Sequence, residues 1–439
     1  MRKRYPAYKA SGIDWLGQIP KDWIVRKLKY NTYIKARVGW HGLNSDEFGT
    51  EGVHCVTGAD FFKGQVDWNK CYRIGEDRYN EDPYIQLEEA DLLITKDGTI
   101  GKTAVANRVP GRATLNSGIF VVRPEKDYTT SFLYWALQSS LFTEFVNYNA
   151  KGTTINHLYQ DAFSNMPLLI PSLPEQNAIV SYLSNKTTQI DETIQKKQRL
   201  IELLHEEQAA VITRAVTRGI DGAVTLKSSG IEWLGDIPVN WKVKRLKYIS
   251  PSISVGLVIN PSTYYDPEGT IPLITGKNVH PFYIDTANAG TITEISNNLL
   301  KKTQVYTNDI VTIRVGYPGV SAVVPSHLSG INCASMVIIR KGDYNPGFLT
   351  YCLNSRIGMS QVEQVQYGAA QKQFNIGHAI DFQFPVPCQE EQAIITEYLN
   401  KVQNNTEKVI VKIHQEINLL QEYRTALINE VVTGKTCVI

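Results

Sequence analysis

Two short runs have the residue types of a phosphate-binding loop and lack its spacing. Gly98-Thr99-Ile100-Gly101-Lys102-Thr103 ends as such a loop does, but the first glycine of GxxxxGK[ST] belongs at position 96, which is Lys96. Gly434-Lys435-Thr436 fails likewise, with Asn429 where that glycine is required. The six cysteines, Cys55, Cys71, Cys333, Cys352, Cys388 and Cys437, lie far apart with no CxxC or Cys/His ligand spacing, so neither a zinc site nor a disulfide framework is indicated. Histidines such as His157 and His205 are scattered, and there is no NPPY or DPPY tetrad, glycine-rich methyl-donor loop or nuclease carboxylate-lysine cluster. What remains is polar chemistry on loops. Lys96, Asp97, Thr99 and Lys102 share a glycine turn, and Arg314 and Tyr317 share its copy, with Lys277 on a further turn beside Gly276. Lys151, Thr153, Thr154, Asn156 and His157 form a second polar loop, with Gln371, Lys372, Gln373 and Asn375 its counterpart. Asn and Gln pair with adenine edges, Lys and Arg with guanine edges or phosphates. Any one of these is more often a solvated loop residue; as a set they are better placed than singly to meet a polar partner.

These loops hang on a frame that occurs twice. SGIDWLGQIPKDWIVRKLKY from Ser11 to Tyr30 returns as SGIEWLGDIPVNWKVKRLKY from Ser229 to Tyr248, pairing Trp15 with Trp233, Trp23 with Trp241 and Tyr30 with Tyr248. Tryptophan beside a Gly-x-Ile-Pro turn is expected to anchor a packing cassette. The same offset matches Val56-Thr57-Gly58 with Ile274-Thr275-Gly276, and DLLITKDGTIGKTAVA from Asp91 with DIVTIRVGYPGVSAVV from Asp309. Apolar runs punctuated by glycine read as strands joined by tight turns. FLYWALQSSLFTEFV from Phe132 and FLTYCLNS from Phe348 each read as one short amphipathic helix.

Each half ends in a long helical pattern. From Ser172 to Gly219, Pro174 in the first turn is followed by no Pro or Gly until Gly219, which suits a C-terminal cap, and Ser172 with Glu175 reads as a capping box. Ile190, Ile194, Ile201, Leu204, Val211 and Ala215 fall on three- and four-residue steps, with Lys197 and Gln208 in the remaining positions. That is a coiled-coil seam, which needs a partner. Glu391 to Thr433 supplies it: Ile410, Ile413, Ile417, Leu420, Leu427 and Val431 make a matching seam, with Arg424 at the place of Gln208. The fold class expected is α+β (mixed α/β): two similar domains with mixed or antiparallel sheets, joined by two long helices packed as a coiled-coil spacer, in an internal pseudo-twofold repeat. The divisions read from sequence are 1–165, a helix over 166–220, 221–381, and a second helix over 382–439.

A chain of 439 residues needs more than one core. Its 45 Lys and Arg against 43 Asp and Glu leave +2, so a nucleic-acid surface must be a local patch. No run is long enough to cross a bilayer and the basic N-terminus lacks an apolar stretch, which fits a cytoplasmic protein.

In the order of these motifs the chain resembles the specificity subunit of a Type I restriction-modification enzyme. The resemblance rests on the duplicated SGI(D/E)WLGxIPxxWxVxxLKY segment, the D-(L/I)-x-x-(T/I)-x-x-G-x-x-G turn, the NAKGTTINHL loop from Asn149 to Leu158, and the PxxEQxxI(V/I) helix opening with its (A/V)VT end. The second half departs with YGAAQKQF from Tyr367 to Phe374 and with Pro387-Cys388-Gln389-Glu390 at its helix opening. The family implies two target-recognition domains, each reading one half of a split double-stranded DNA site, and helices from Glu175 to Thr217 and from Glu391 to Thr433 that dock two methyltransferase subunits, to which restriction and translocase subunits add. S-adenosylmethionine, ATP and Mg would belong to those partners, the cell would be a prokaryote, and the chain would itself be no enzyme. The rival readings are a single-chain DNA methyltransferase or nuclease, which lacks its motifs here, and a tandem-repeat scaffold that binds only protein, which would not be retained on DNA at low salt.

Overall fold

A computed structural model describes residues 4–37, 43–149, 157–366 and 375–439. The polypeptide forms two compact units: unit 1 comprises Met1–Lys197 and Gln415–Ile439, and unit 2 comprises Gln198–His414. Compactness thus groups the residues differently from their order along the chain, because each long helix contributes a portion to both units.

In unit 1 the strand Asp91–Thr95 is wholly buried and lies between Ile119–Pro124 and Thr103–Ala106, antiparallel to both. Thr32–Ala36 extends one side of this sheet, and the short strands Gln65–Val66 and Phe61–Phe62 extend the other, with a parallel pairing where Val105 meets Gln65. Alternation explains the unbroken apolar runs: Leu92, Ile94, Phe120 and Val122 face one core, while Leu93, Ile119 and Val121 face a second. That second core is shared with the strands Ala113–Leu115 and Val53–Val56, which pair in parallel. A sheet buried on both faces needs no polar face in its sequence.

Unit 2 repeats this plan in a smaller form. Ile310–Ile313 is buried between Met336–Ile339 and Ser321–Val323, and a second sheet sets Ile271–Ile274 parallel to Asn332–Cys333. The cassette strands agree as well: Ile24–Lys27 pairs antiparallel with Pro167–Ile170, and Lys242–Arg245 with Gln383–Val386.

Both halves hold a buried ion pair that nothing local in the sequence announces. Arg123 donates Nε and Nη2 to Asp91 at 2.6 and 2.8 Å, and Arg340 donates Nη1 to Asp309 at 2.6 Å. Each guanidinium also lies over a tyrosine, Tyr33 or Tyr306. Asp91 and Asp309 sit at the head of the central strand, where a 3 % exposed carboxylate is tolerated only with such donors.

The stretch from Phe132, expected as one helix, is two, while the expected stretch from Phe348 is one helix with a second after it. Thr130–Leu137 is followed by Ser140–Asn149, and Pro346–Asn354 by Arg356–Gln366. The break is a serine in both cases, with Ser139 Oγ donating to Ala136 O and Ser355 Oγ to Cys352 O, each at 2.7 Å. A serine that bonds its own preceding turn competes with the helix ladder.

The long helices run Leu173–Arg218 and Gln389–Val432, 46 and 44 residues, or roughly 65–70 Å each at ~1.5 Å per residue. Every expected seam position of the first helix, Lys197 and Gln208 included, is buried or half-buried. The second helix keeps the same rule from Ile410 to Val431. The pairing is antiparallel. In unit 1 Asp191 bonds Arg424 Nε at 3.0 Å while Lys197, further along, pairs with Glu416, and Ile190 shares a core with Leu427 and Val431. In unit 2 Ile212 and Val216 share a core with Ile395 and Leu399. Gly219 closes the first helix as expected, with φ of +75° and its N–H on Ala215 O. The run Gly434-Lys435-Thr436 closes the second: Lys435 and Thr436 turn their N–H groups to Glu430 O. No described helix is long and apolar enough to cross a membrane.

Candidate nucleic-acid interface

The Gly98 turn joins two antiparallel strands, Asp91–Thr95 and Thr103–Ala106. Its backbone closes twice, Thr95 N–H on Lys102 O and Gly101 N–H on Thr95 O, both at 2.9 Å. Gly101 has φ of +88°, and a Cβ there would lie 2.5 Å from the Phe142 ring, so glycine is required both for the turn and for its seat on the following helix. The copy is built alike. Ile313 N–H meets Val320 O, Gly319 N–H meets Ile313 O, and Gly319 packs against Met359 and Val362. In each unit an anchored turn therefore carries an exposed tip, with Thr99 and Tyr317 at equivalent places.

The second polar loop returns to that turn. Leu158 N–H donates to Lys96 O at 2.8 Å, Asp97 and His157 form a β-bridge, and the Asp97 carboxylate pairs with His157 Nδ1. In unit 2 Arg314 Nη2 donates to Asn375 Oδ1 at 2.7 Å. His157 and Asn375 occupy equivalent positions in the repeat, so the two loops separated along the chain meet at one place in both halves. Lys151, Thr153, Thr154, Asn156, Gln371, Lys372 and Gln373 lie outside the described residues.

Not all the candidates are equally presented. Lys96 is largely covered, its ammonium over the Phe120 ring and 3.7 Å from Asp97. Lys102 is exposed but donates Nζ to Gly58 O at 3.1 Å, which ties the tip to the Thr57-Gly58 turn. That turn is itself braced, as Asp60 accepts from Thr57 N–H at 2.7 Å, and in the copy Asn278 accepts from Thr275 N–H at 2.9 Å. Lys277 is thereby held on an exposed turn, and it opens on the same cleft as Tyr317.

Sequence reasoning gave the Trp cassette a packing role and missed what it packs on. Trp23 and Trp241, each 1 % exposed, donate their indole N–H to Glu175 and Glu391, at 3.1 and 3.0 Å. Glu175, expected to cap its own helix by reaching back to Ser172, gives its Oε1 to Trp23 and to the Tyr5 hydroxyl. The following glutamine ties the helix to the sheet body: Gln176 accepts from Thr129 N–H at 3.0 Å, and Gln392 from Asn345 N–H at 2.8 Å. The repeated Glu-Gln pair is thus a clasp between cassette, body and rod. The signal was that the Glu-Gln pair opens both long helices while the tryptophans open both domains.

Burial pushes the thiols of Cys55, Cys71 and Cys333 up to about 12, so they stay protonated near neutral pH and are not poised as nucleophiles. Among the described residues no three His, Cys, Asp or Glu side chains are grouped to hold a metal ion.

A family model for the Type I restriction modification DNA specificity domain matches residues 56–203. The chain is 22 % identical to the Type I restriction enzyme MjaVIII specificity subunit of Methanocaldococcus jannaschii, over 95 % of this chain and 94 % of that one. It is 25 % identical to the EcoBI specificity subunit of Escherichia coli, over 80 % and 73 %. Its fold matches a chain solved in work on complex assembly and conformational transition of the type I R-M system, with a TM-score of 0.71 at 15 % identity over 95 % of this chain and 99 % of that one. It also matches the HsdS subunit of Thermoanaerobacter tengcongensis, with a TM-score of 0.53 at 15 % identity over 95 % and 98 %. With the duplicated frame and the two long helices, these matches make the chain similar, over nearly its whole length, to the specificity subunits of Type I restriction-modification enzymes.

Proposed function

We propose that this subunit, whose family recognises DNA sequence within a multisubunit assembly, reads a split target with one half-site assigned to each unit. The observation that carries the reading is the pair of anchored turns: one frame, built twice, brings two polar loops together and differs between copies in the side chains presented. Asp97, Thr99 and His157 in unit 1 stand where Val315, Tyr317 and Asn375 stand in unit 2. Base identity is read by side chains at groove edges, and phosphate contacts only set the register. Two different half-sites require such divergence on a common scaffold.

The subunit itself is non-catalytic in this reading, and S-adenosylmethionine, ATP and Mg act in its partners. Two methyltransferase subunits dock on the long helices. In support, apolar side chains outside the seam remain open to solvent there, among them Leu203 and its repeat copy Leu419, at 45 % and 62 % exposure. Repetition of the exposed leucine fits two copies of one partner.

Exchanging Tyr30–Asp161 for the corresponding segment of another family member is expected to change one half-site and leave the other intact, as read by methylation-aware sequencing of host DNA. A change in both halves would overturn the assignment of one unit to each half. Lys151→Ala or Lys372→Ala is expected to weaken binding on all sequences alike and to lower the salt slope by about one, as for a lost phosphate contact. An unchanged slope in salt titrations of DNA binding would remove them from the backbone contacts.

A further inference from the structure

The two tips differ in kind as well as in sequence. In unit 1 the position before the glycine carries Asp97, whose carboxylate is engaged by His157. In unit 2 the same position carries Val315, 47 % exposed, and Tyr317 beyond it is 79 % exposed. Val315 and Tyr317 line an open cleft of about 1030 Å³ together with Tyr265, Lys277 and His280. Tyr265 is held in place: its ring lies against Gly290, where a Cβ would come within 2.3 Å of it, and the next residue, Asp266, donates its N–H to Thr291 O at 2.9 Å and accepts from the Thr291 hydroxyl at 3.1 Å. His280 stacks on Tyr283 at 4.7 Å. The cleft is therefore walled by positioned side chains.

Exposed apolar groups on a surface that meets DNA need an apolar match. In the major groove the base edges offer one such group, the C5-methyl of thymine; every other feature there is a hydrogen-bond donor or acceptor. We propose that the cleft between the Val315–Tyr317 turn and Tyr265 receives a thymine of unit 2's half-site, with its methyl group against Val315 and Tyr317. Lys277 on the same cleft supplies the cation that flanking phosphates require. The assignment rests on the reading that unit 2 meets one half of the target. The equivalent tip of unit 1, with a carboxylate in place of Val315, reads its half-site by hydrogen bonds.

The test uses the subunit assembled with its methyltransferase partner and duplexes carrying the natural target. Each thymine in unit 2's half-site is replaced in turn by deoxyuridine, which removes only the methyl. At one position affinity is expected to fall about fourfold, the size of one buried methyl group. Tyr317→Ser should weaken binding to the thymine duplex and abolish the thymine-uracil difference, while Tyr317→Phe should retain it. The proposal is overturned if no uracil in that half-site matters, or if Tyr317→Ser leaves the difference intact. If Tyr317→Ser instead changes the bases read in the other half-site, the assignment of one unit to each half is what fails.

Discussion

Trp23→Ala is expected to destabilise unit 1 by about 3–5 kcal/mol, while leaving the unfolding of unit 2 near its original midpoint. The side chain is buried at 1 % exposure within the largest core of that unit, among residues of the cassette, the sheet and both long helices. Tyr5 meets its ring edge-on at 5.7 Å, and Gly434, at the end of the second long helix, comes close enough that a Cβ would lie 3.3 Å from it. Truncation opens a cavity and also removes a donor from Glu175, which is 8 % exposed and keeps the Tyr5 hydroxyl as its other partner from the cassette side. Trp23→Phe separates the two losses: it preserves most of the apolar contact and leaves only the carboxylate short of a donor, a cost of about 1–3 kcal/mol. Burial, and then the adjoining carboxylate, push the Tyr5 phenol upward, so that hydroxyl remains a donor throughout the usable pH range. Trp241→Ala should act on unit 2 in the same way, because Trp241 holds Glu391 and packs edge-on against Phe348. Calorimetric unfolding of the two single variants checks this. A Trp23→Ala protein that unfolds like wild type would show that the clasp carries no stability.

What was legible in the sequence is what repeats or has a period. The seam of the long helices could be read because its positions stay buried or half-buried at every step, so the three-four spacing survives even where Lys197 and Arg424 replace apolar residues. Both of these take an acidic partner on the opposite helix, Glu416 and Asp191, and stay in the seam at the cost of a salt bridge. The cassette tryptophans were legible because they sit beside glycine-proline turns. The partners of Asp91 and Asp309 were not: Arg123 and Arg340 lie some thirty residues further on, and only the antiparallel neighbour strand brings them back. Nor does local sequence reveal that Glu175 leaves its own helix for an indole 152 residues earlier. The helix break at Ser139 was hidden for a different reason, since serine inside an apolar stretch weakens a helix only when its hydroxyl finds the preceding carbonyl. Among the candidate residues, the turns that carry Thr99 and Tyr317 were legible from their glycines. It could not distinguish Lys96, drawn in over Phe120, from Lys277, held out on its turn.

A seven-residue insertion in both long helices, one after Gln198 and one after His414, is expected to lengthen the unread spacer of the target by about three base pairs without altering either half-site. The chain passes between unit 1 and unit 2 only at these two places, Lys197 to Gln198 and His414 to Gln415. Insertions there leave every cassette, sheet and clasp within its own unit. A heptad preserves the seam, since the three-four alternation resumes in phase, and adds ~10 Å of helix, which equals about three steps of duplex at ~3.4 Å each. An insertion in one helix alone lengthens one crossing and not the other. The antiparallel pairs in unit 1 or unit 2 must then slip by a heptad or expel the extra residues as a bulge, and a seam carrying Lys197–Glu416 and Arg424–Asp191 at fixed heights penalises the slip. The single insertion should therefore cost folding or partner assembly, which the paired insertion retains. Methylation-aware sequencing of cells carrying the paired variant reads the outcome directly. Intact half-sites at an unchanged spacing would show that the helices do not set the distance between the bases read.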